Sequence, residues 1–184
     1  MGYRLNIPLL SVLLSLLLAA CSDGERMRME AILDEADSLN RAYIPLSDHD
    51  SLLTAAVCFY DRHGSHNDRL RAHYLLGCVY RDLGESPHAL ECYQAAVDAA
   101  DTTEADCDYH RLMSVYGQMA ILFHAQNLPS DEITMRQKAW RSAILAKDTF
   151  ASIRCYETMM MPYYLLGDTD QVVNIIGMFY KLKC

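Results

Sequence analysis

Apolar residues along this chain recur at helical spacing. Met29, Ile32, Leu33, Ala36 and Leu39 follow the i, i+3, i+4, i+7 rule and predict an amphipathic helix from about Gly24 to Asn40. Pro45 and the polar run Ser47-Asp48-His49-Asp50 interrupt that pattern and offer side-chain oxygens to cap a second helix. This second helix carries Leu52, Leu53, Ala56, Phe59 and Tyr60 and stops near Gly64. Leu70, Tyr74, Gly77 and Tyr80 share one face of a third helix, and Gly84 ends it where left-handed backbone is cheap for glycine. Ser86 as N-cap and Pro87 in the first turn open a fourth helix, whose Ala89, Tyr93 and Ala96 face back toward the third. Gly77 and Ala89 are small where those two helices cross closely.

Downstream the same alternation continues. Pro162 falls inside a helix expected from about Phe150 to Leu166, which predicts a kink or a late helix start, because an interior proline removes a hydrogen bond. The last helix, Asp170 to Lys183, is apolar nearly all round, with Val172, Val173, Ile175, Ile176, Met178, Phe179 and Tyr180. Every element reads as helix.

The start of the chain is of another kind. Arg4 precedes an apolar run from Ile7 to Leu18, well short of the ~20 residues a membrane-spanning helix needs, so it reads as the core of a signal peptide. It ends in Leu18-Ala19-Ala20-Cys21, which resembles the lipobox of bacterial lipoproteins. The resemblance implies a leader over 1–20 and a lipid on Cys21, the first residue of a mature domain spanning 21–184. Met1-Gly2 does not make a myristoylation site, since Asn6 stands where Ser or Thr is required. The expected location is the cell envelope, lipid-anchored and facing periplasm or cell surface. Ser22, where an aspartate is absent, fits outer-membrane sorting.

From His73 to Ala96 the chain reads HYLLGCVYRDLGESPHALECYQAA, and Leu76-Gly77, Tyr80, Gly84, Ala89, Tyr93 and Ala96 stand at the spacing of a tetratricopeptide repeat, which this segment resembles. Met119-Ala120, Phe123, Asn127 and Ala139 repeat the marks, with Arg136 where Tyr93 stood. Met159-Met160, Tyr163, Gly167, Val172 and Ile176 form a looser copy. Tyr80, Phe123 and Tyr163 lie 43 and 40 residues apart, longer than the usual period of about 34. The acidic stretch Asp98 to Asp108 is the expected site of the extension. The resemblance implies an all-α, right-handed α-solenoid of three to four antiparallel helix pairs, at about 24–63, 67–99, 104–146 and 150–183. In such a fold the first helix of each pair lines a concave groove. Carrying the motif positions across assigns to that groove Arg71, Tyr74, Cys78 and Arg81, then Ser114, Ile121 and His124, and finally Arg154, Glu157, Met161 and Tyr164.

Charge and chemistry narrow the function. A formal net charge of −8, without a Lys/Arg cluster, disfavours nucleic acid, whose phosphates demand one. Glu25, Glu30, Asp34, Glu35 and Asp37 read as a solvated helix face. Asp61-Arg62-His63-Gly64-Ser65-His66 has the composition of a turn and no metal-site spacing. Besides Cys21, the cysteines Cys58, Cys78, Cys92, Cys107, Cys155 and Cys184 form no CxxC pair, and four sit where small buried hydrophobes suit a helix. With no GxSxG, P-loop or HExxH motif, no cofactor, metal or enzymatic activity is expected. The expected function is a membrane-tethered, non-catalytic module for a protein or peptide partner. The alternatives are a truncated sensor lacking its membrane and DNA-binding parts, to which the apolar last helix points, and a glycan-binding lipoprotein, which the single Trp140 disfavours.

Overall fold

The computed structural model describes the backbone of residues 7–182 and the side chains of residues 23–178. The elements are α1 (Ile7–Arg41), a 3-10 turn (Ser47–His49), α2 (Asp50–His63), α3 (His66–Asp82), α4 (Ser86–Ala99), α5 (Tyr109–Ala125), α6 (Pro129–Leu145), α7 (Thr149–Glu157), α8 (Met160–Leu165) and α9 (Thr169–Leu182). The helix expected from Gly24 is the second half of α1, which runs unbroken from Ile7. The side chain of Cys21 lies outside the described residues, as does Cys184.

Successive helices pack as antiparallel hairpins: α1 on α2, α3 on α4, α5 on α6, and α7–α8 followed by α9. α1, α3 and α5 also touch one another in sequence, so the first helices of the first three hairpins form one layer. This is an α-solenoid.

The first helix of each hairpin ends in the same turn. Backbone N–H groups of Ile44, Glu85, Leu128 and Asp168 donate to the carbonyls of Leu39, Tyr80, Phe123 and Tyr163 at 3.0, 2.8, 3.0 and 3.0 Å. Just before these donors stand Tyr43, Gly84, Asn127 and Gly167, with φ of 58°, 77°, 58° and 73°. Such a left-handed residue closes a helix by satisfying its last carbonyls, and glycine and asparagine adopt it most readily. Tyrosine does not, and Tyr43 carries that strain fully exposed. The long period has two sources. The loop Ala100–Asp108 lengthens the second repeat as expected, whereas in the third the extra length is helical, since α6 has 17 residues against 14 in α4.

The continuous core lies in the first three hairpins, around Leu33, Ala36, Leu53, Tyr60, Leu75, Val79, Tyr93 and Val115. Gly77 is required there: a Cβ at this position would stand 2.5 Å from ring carbons of the fully buried Tyr93. The last hairpin is thinner; among its described residues Met159, Pro162 and Ile175 are the buried ones.

Several local expectations are corrected. Ser86 is the first residue of α4 rather than its cap; Glu85 holds the cap position without a side-chain bond. The run Ser47–Asp50 supplies the N-cap residue of α2, His49, but none of the expected side-chain oxygens, because His49 makes no side-chain cap bond. The capping box is at Ser65, which accepts from the Asp68 N–H while Asp68 accepts from the Ser65 N–H. The break expected at Pro162, by contrast, is present: α7 stops at Glu157 and α8 restarts at Met160, leaving Pro162 in a first turn where its missing N–H costs nothing.

Candidate functional site

The inner layer is knitted by charge before it is open to a ligand. Arg71 of α3 donates from Nε to Asp37, from Nη1 to Glu30 and from Nη2 to Asp34, each at 2.7 Å. Arg111 of α5 grips the same Asp37 carboxylate with both Nη atoms, at 2.6 and 3.0 Å. Asp37 is 7% exposed at its side chain, so it bridges three helices from a largely desolvated position. Burial raises its pKa, but the guanidinium groups of Arg111 and Arg71 outweigh this and hold it below the usual carboxylate value. The Arg111 guanidinium also lies 5.1 Å from the Tyr74 ring centre. The Tyr74 hydroxyl accepts from Asn40 at 3.1 Å, and Asn40 accepts from Arg81 at 3.1 Å. Arg81 in turn donates to Asp82 at 2.8 Å, whose other oxygen accepts the Leu46 N–H at 2.8 Å.

Glu30, Asp34 and Asp37 are therefore counter-ions of Arg71, and Asp37 of Arg111 as well; Asp37 is withdrawn from solvent, while Glu30 and Asp34 stay on the solvated face with side chains 46% and 67% exposed. Arg71 and Arg81, expected as groove contacts, are engaged within the protein. Cys78 is fully buried, its sulfur accepting from the Tyr93 hydroxyl at 3.6 Å, which takes it out of the groove. Burial is also the first reason its thiol pKa is raised. Cys58, by contrast, is exposed on α2, and Cys92, Cys107 and Cys155 are half-buried, so among the described residues Cys78 alone is a fully buried thiol.

The open part of the concave face lies farther along, between α5 and α7. A cavity of about 380 Å³ is lined there by Tyr74, Ser114, Ile121 and Arg154, four of the expected groove residues, together with Met113, Gly117, Ala139 and Phe150. Its walls are mostly apolar, and Phe150 is 71% exposed at its edge. Two arginines reach it in different states. Arg136 is neutralised by the buried Glu132, donating from Nε at 2.7 Å, while His124 contacts the other oxygen of that carboxylate at 2.9 Å. Arg154 makes no ion pair among the described residues and lies 6.0 Å from the Phe150 ring centre.

A second cavity of about 560 Å³ adjoins the first, sharing Gln118 and Ile121 and adding Arg41, Tyr43, Ile44, Pro45 and the expected Arg81, which lines it while bonded to Asn40 and Asp82. Arg41 likewise makes no ion pair among the described residues. The two form one trough with an apolar floor at Ile121 and a free guanidinium toward each end. His124, Glu157, Met161 and Tyr164 line neither cavity. Sequence reasoning missed Phe150, Arg41 and Tyr43. Tyr43 was within reach, because it precedes Gly84 by 41 residues, nearly the interval that separates Gly84 from Asn127.

Among the described residues no three His, Cys, Asp or Glu side chains converge as metal ligands would. Trp140 is half-buried against Tyr156, with ring centres 5.4 Å apart, so it offers no exposed platform. The trough suits an apolar side chain and flanking anionic groups.

No family model matches the chain, and no curated protein does. Solved structures do resemble it. BtubC (BKLC) from P. vanneervenii superposes with a TM-score of 0.65 at 14% identity over 85% of this chain, which spans 64% of that protein. A putative kinesin light chain with nearly identical TPR-like repeats from Podosopora anserina gives 0.64 at 12% identity, covering 85% of this chain and 75% of that one. A single-substitution variant of that same protein gives 0.65 at 13% identity, with 85% and 74% covered. At these identities the likeness is one of fold, and that fold is a tetratricopeptide-like α-solenoid.

Proposed function

We propose that the chain is a membrane-tethered, non-catalytic interaction module that holds a peptide segment of a protein partner in the trough between α1, α5 and α7. The observation that carries this reading is the apolar cavity at Ile121 and Phe150 with the unpaired Arg154 beside it. On a chain of net charge −8, an unneutralised guanidinium at an apolar hollow is a local exception. It favours a segment with a large apolar side chain and a nearby carboxylate, since charged complementarity selects partner and register. Arg71 and Arg81 act in the scaffold that holds the trough open.

Peptide-library selection on the immobilised full chain tests this. Selected peptides are expected to share an apolar residue near an acidic one. Arg154→Glu is expected to weaken their binding about tenfold or more, the magnitude of losing a charged contact of about 1.4 kcal/mol, and Ile121→Asp to remove it. Selection unaffected by both substitutions would sink the groove reading. The tether is proposed on the segment Leu18-Ala19-Ala20-Cys21, and its site is the cell envelope. Among the described residues no helix is long and apolar enough to cross a membrane, so a lipid on Cys21 is the anchor this reading requires. Mass spectrometry of the protein from its native membrane is expected to show a diacylated or triacylated Cys21; an unmodified cysteine refutes the tether.

A further inference from the structure

One turn of the solenoid is closed by a residue unsuited to it. The left-handed residues after the first helices are Gly84, Asn127 and Gly167 in three hairpins, and Tyr43, at a φ of 58°, in the other. Tyrosine fits that backbone poorly, and no packing compensates, because Tyr43 is 96% exposed. Strain of this kind collects at binding sites. Lys147 has a similar φ of 57° at the end of α6, but it lines neither cavity of the trough. Tyr43 does, and with Ile44, Pro45 and Ile121 it borders the 560 Å³ cavity. Ile44 is 49% and Ile121 50% exposed, so this cavity has uncovered apolar surface. An exposed side chain changes rotamer within nanoseconds, which leaves the Tyr43 ring free to close on what enters.

Charge says what enters. The same cavity is lined by Arg41, Arg81 and a single carboxylate, Asp82. Arg81 is bonded to Asp82 at 2.8 Å, so the positive charge of Arg41 is left over. Its place in the last turn of α1 suits the helix dipole, yet its guanidinium stands without an ion pair among the described residues beside an apolar wall. Arg154 does the same at the other end of the trough. Ile121 lies between, lining both cavities. A segment that matches both ends carries two carboxylates with apolar side chains between them; one with a single acidic group leaves an arginine unmatched.

We propose that Tyr43 and Arg41 form a second subsite of the trough, where Tyr43 covers an apolar side chain of the partner and Arg41 pairs with its carboxylate, so that the trough selects a peptide of acidic–apolar–acidic pattern. This rests on the reading of the trough as a peptide site and adds the residues that decide which peptide it takes. Tyrosine and arginine are the side chains that concentrate binding energy in such places.

The test titrates fluorescein-labelled peptides, selected on the wild-type full chain, against variants of that chain. The peptides are expected to carry two acidic residues separated by apolar ones. Tyr43→Asn is expected to weaken their binding about tenfold while the thermal midpoint rises, since asparagine suits the turn. Arg41→Glu is expected to weaken binding by a similar factor, restored by changing one of the two peptide acids to lysine; changing the other restores binding to Arg154→Glu. Wild-type affinity in both Tyr43→Asn and Arg41→Glu, with binding still lost in Ile121→Asp, overturns the second subsite and leaves the trough reading standing. Tyr43→Asn that loses affinity and stability together assigns Tyr43 to the fold and also overturns it. Peptides indifferent to Ile121→Asp remove the trough reading, and this proposal with it.

Discussion

Replacing Gly77 by alanine sets two effects of opposite sign against each other. In a helix interior, Gly→Ala is favourable by about 1 kcal/mol, because alanine loses less backbone freedom on folding. In this structure, however, the new methyl group would stand 2.5 Å from Cδ1 and Cε1 of Tyr93 and 3.1 Å from its Cζ. The ring cannot easily retreat. It is fully buried, its hydroxyl donates to Cys78 at 3.6 Å, and it lies 6.1 Å from the Tyr74 ring, centre to centre. Overpacking a filled core costs about 1–3 kcal/mol, and contacts this short put Gly77→Ala at the upper end. After the propensity gain is subtracted, a net loss of about 1–2 kcal/mol is expected, several degrees in Tm for a domain of this size. Urea unfolding followed by circular dichroism is expected to show a lower midpoint with unchanged slope. In a Tyr93→Ala background the obstacle is gone, and the same substitution should become neutral or stabilising. A Gly77→Ala protein more stable than wild type, or an equal loss in both backgrounds, would refute the close crossing of α3 and α4.

Other consequences follow from the ion network and the turns. Because the Asp37 pKa is depressed in the folded chain, its stabilising contribution is present above the unfolded value near 4 and is lost as pH falls through the lower, folded value. Urea midpoints should therefore drop on acidification from about pH 5 to about pH 3, and Asp37→Asn should flatten that drop while lowering stability at neutral pH; parallel curves contradict the bridge. Arg136→Met strips the 1%-exposed Glu132 of its main counter-ion and should cost about 3 kcal/mol, recovered largely by adding Glu132→Gln. A similar midpoint for Arg136→Met and wild type would show that the pair is not buried in solution. Tyr43→Asn should raise stability by about 0.5–1 kcal/mol, because asparagine tolerates left-handed backbone and the 96%-exposed tyrosine ring gives up no packing; a lower thermal midpoint argues against the positive φ.

Features of this molecule are legible in the sequence where their causes are local. Gly84, Asn127 and Gly167 announce their turns because those residue types favour left-handed backbone, and Pro162 announces a helix break for an equally local reason. Tyr43 fills the same turn silently, since tyrosine gives no such signal and only the repeat interval points to it. Register alone places Tyr74, Ser114, Ile121 and Arg154 in one groove, and one cavity gathers them. Arg71 and Arg81 occupy equally suitable register positions, yet their partners Asp37, Asp34, Glu30 and Asn40 lie 34 to 41 residues upstream. Nothing in helical periodicity says which carboxylate will meet which guanidinium across hairpins, so α1 reads as solvated and the arginines as free. Ser86 and Glu85 differ by one position, below what capping preferences resolve.

Whether partners are received on the concave trough rather than on the outer layer can be read by crosslinking in the native membrane. A photoreactive benzoylphenylalanine is placed at Ile121 in the full chain and, for comparison, at the exposed Cys58 on α2. Reception in the trough gives a discrete crosslinked partner from position 121 that vanishes with Arg154→Glu, and none from position 58. Crosslinking from position 58 alone, or equally from both, would contradict it.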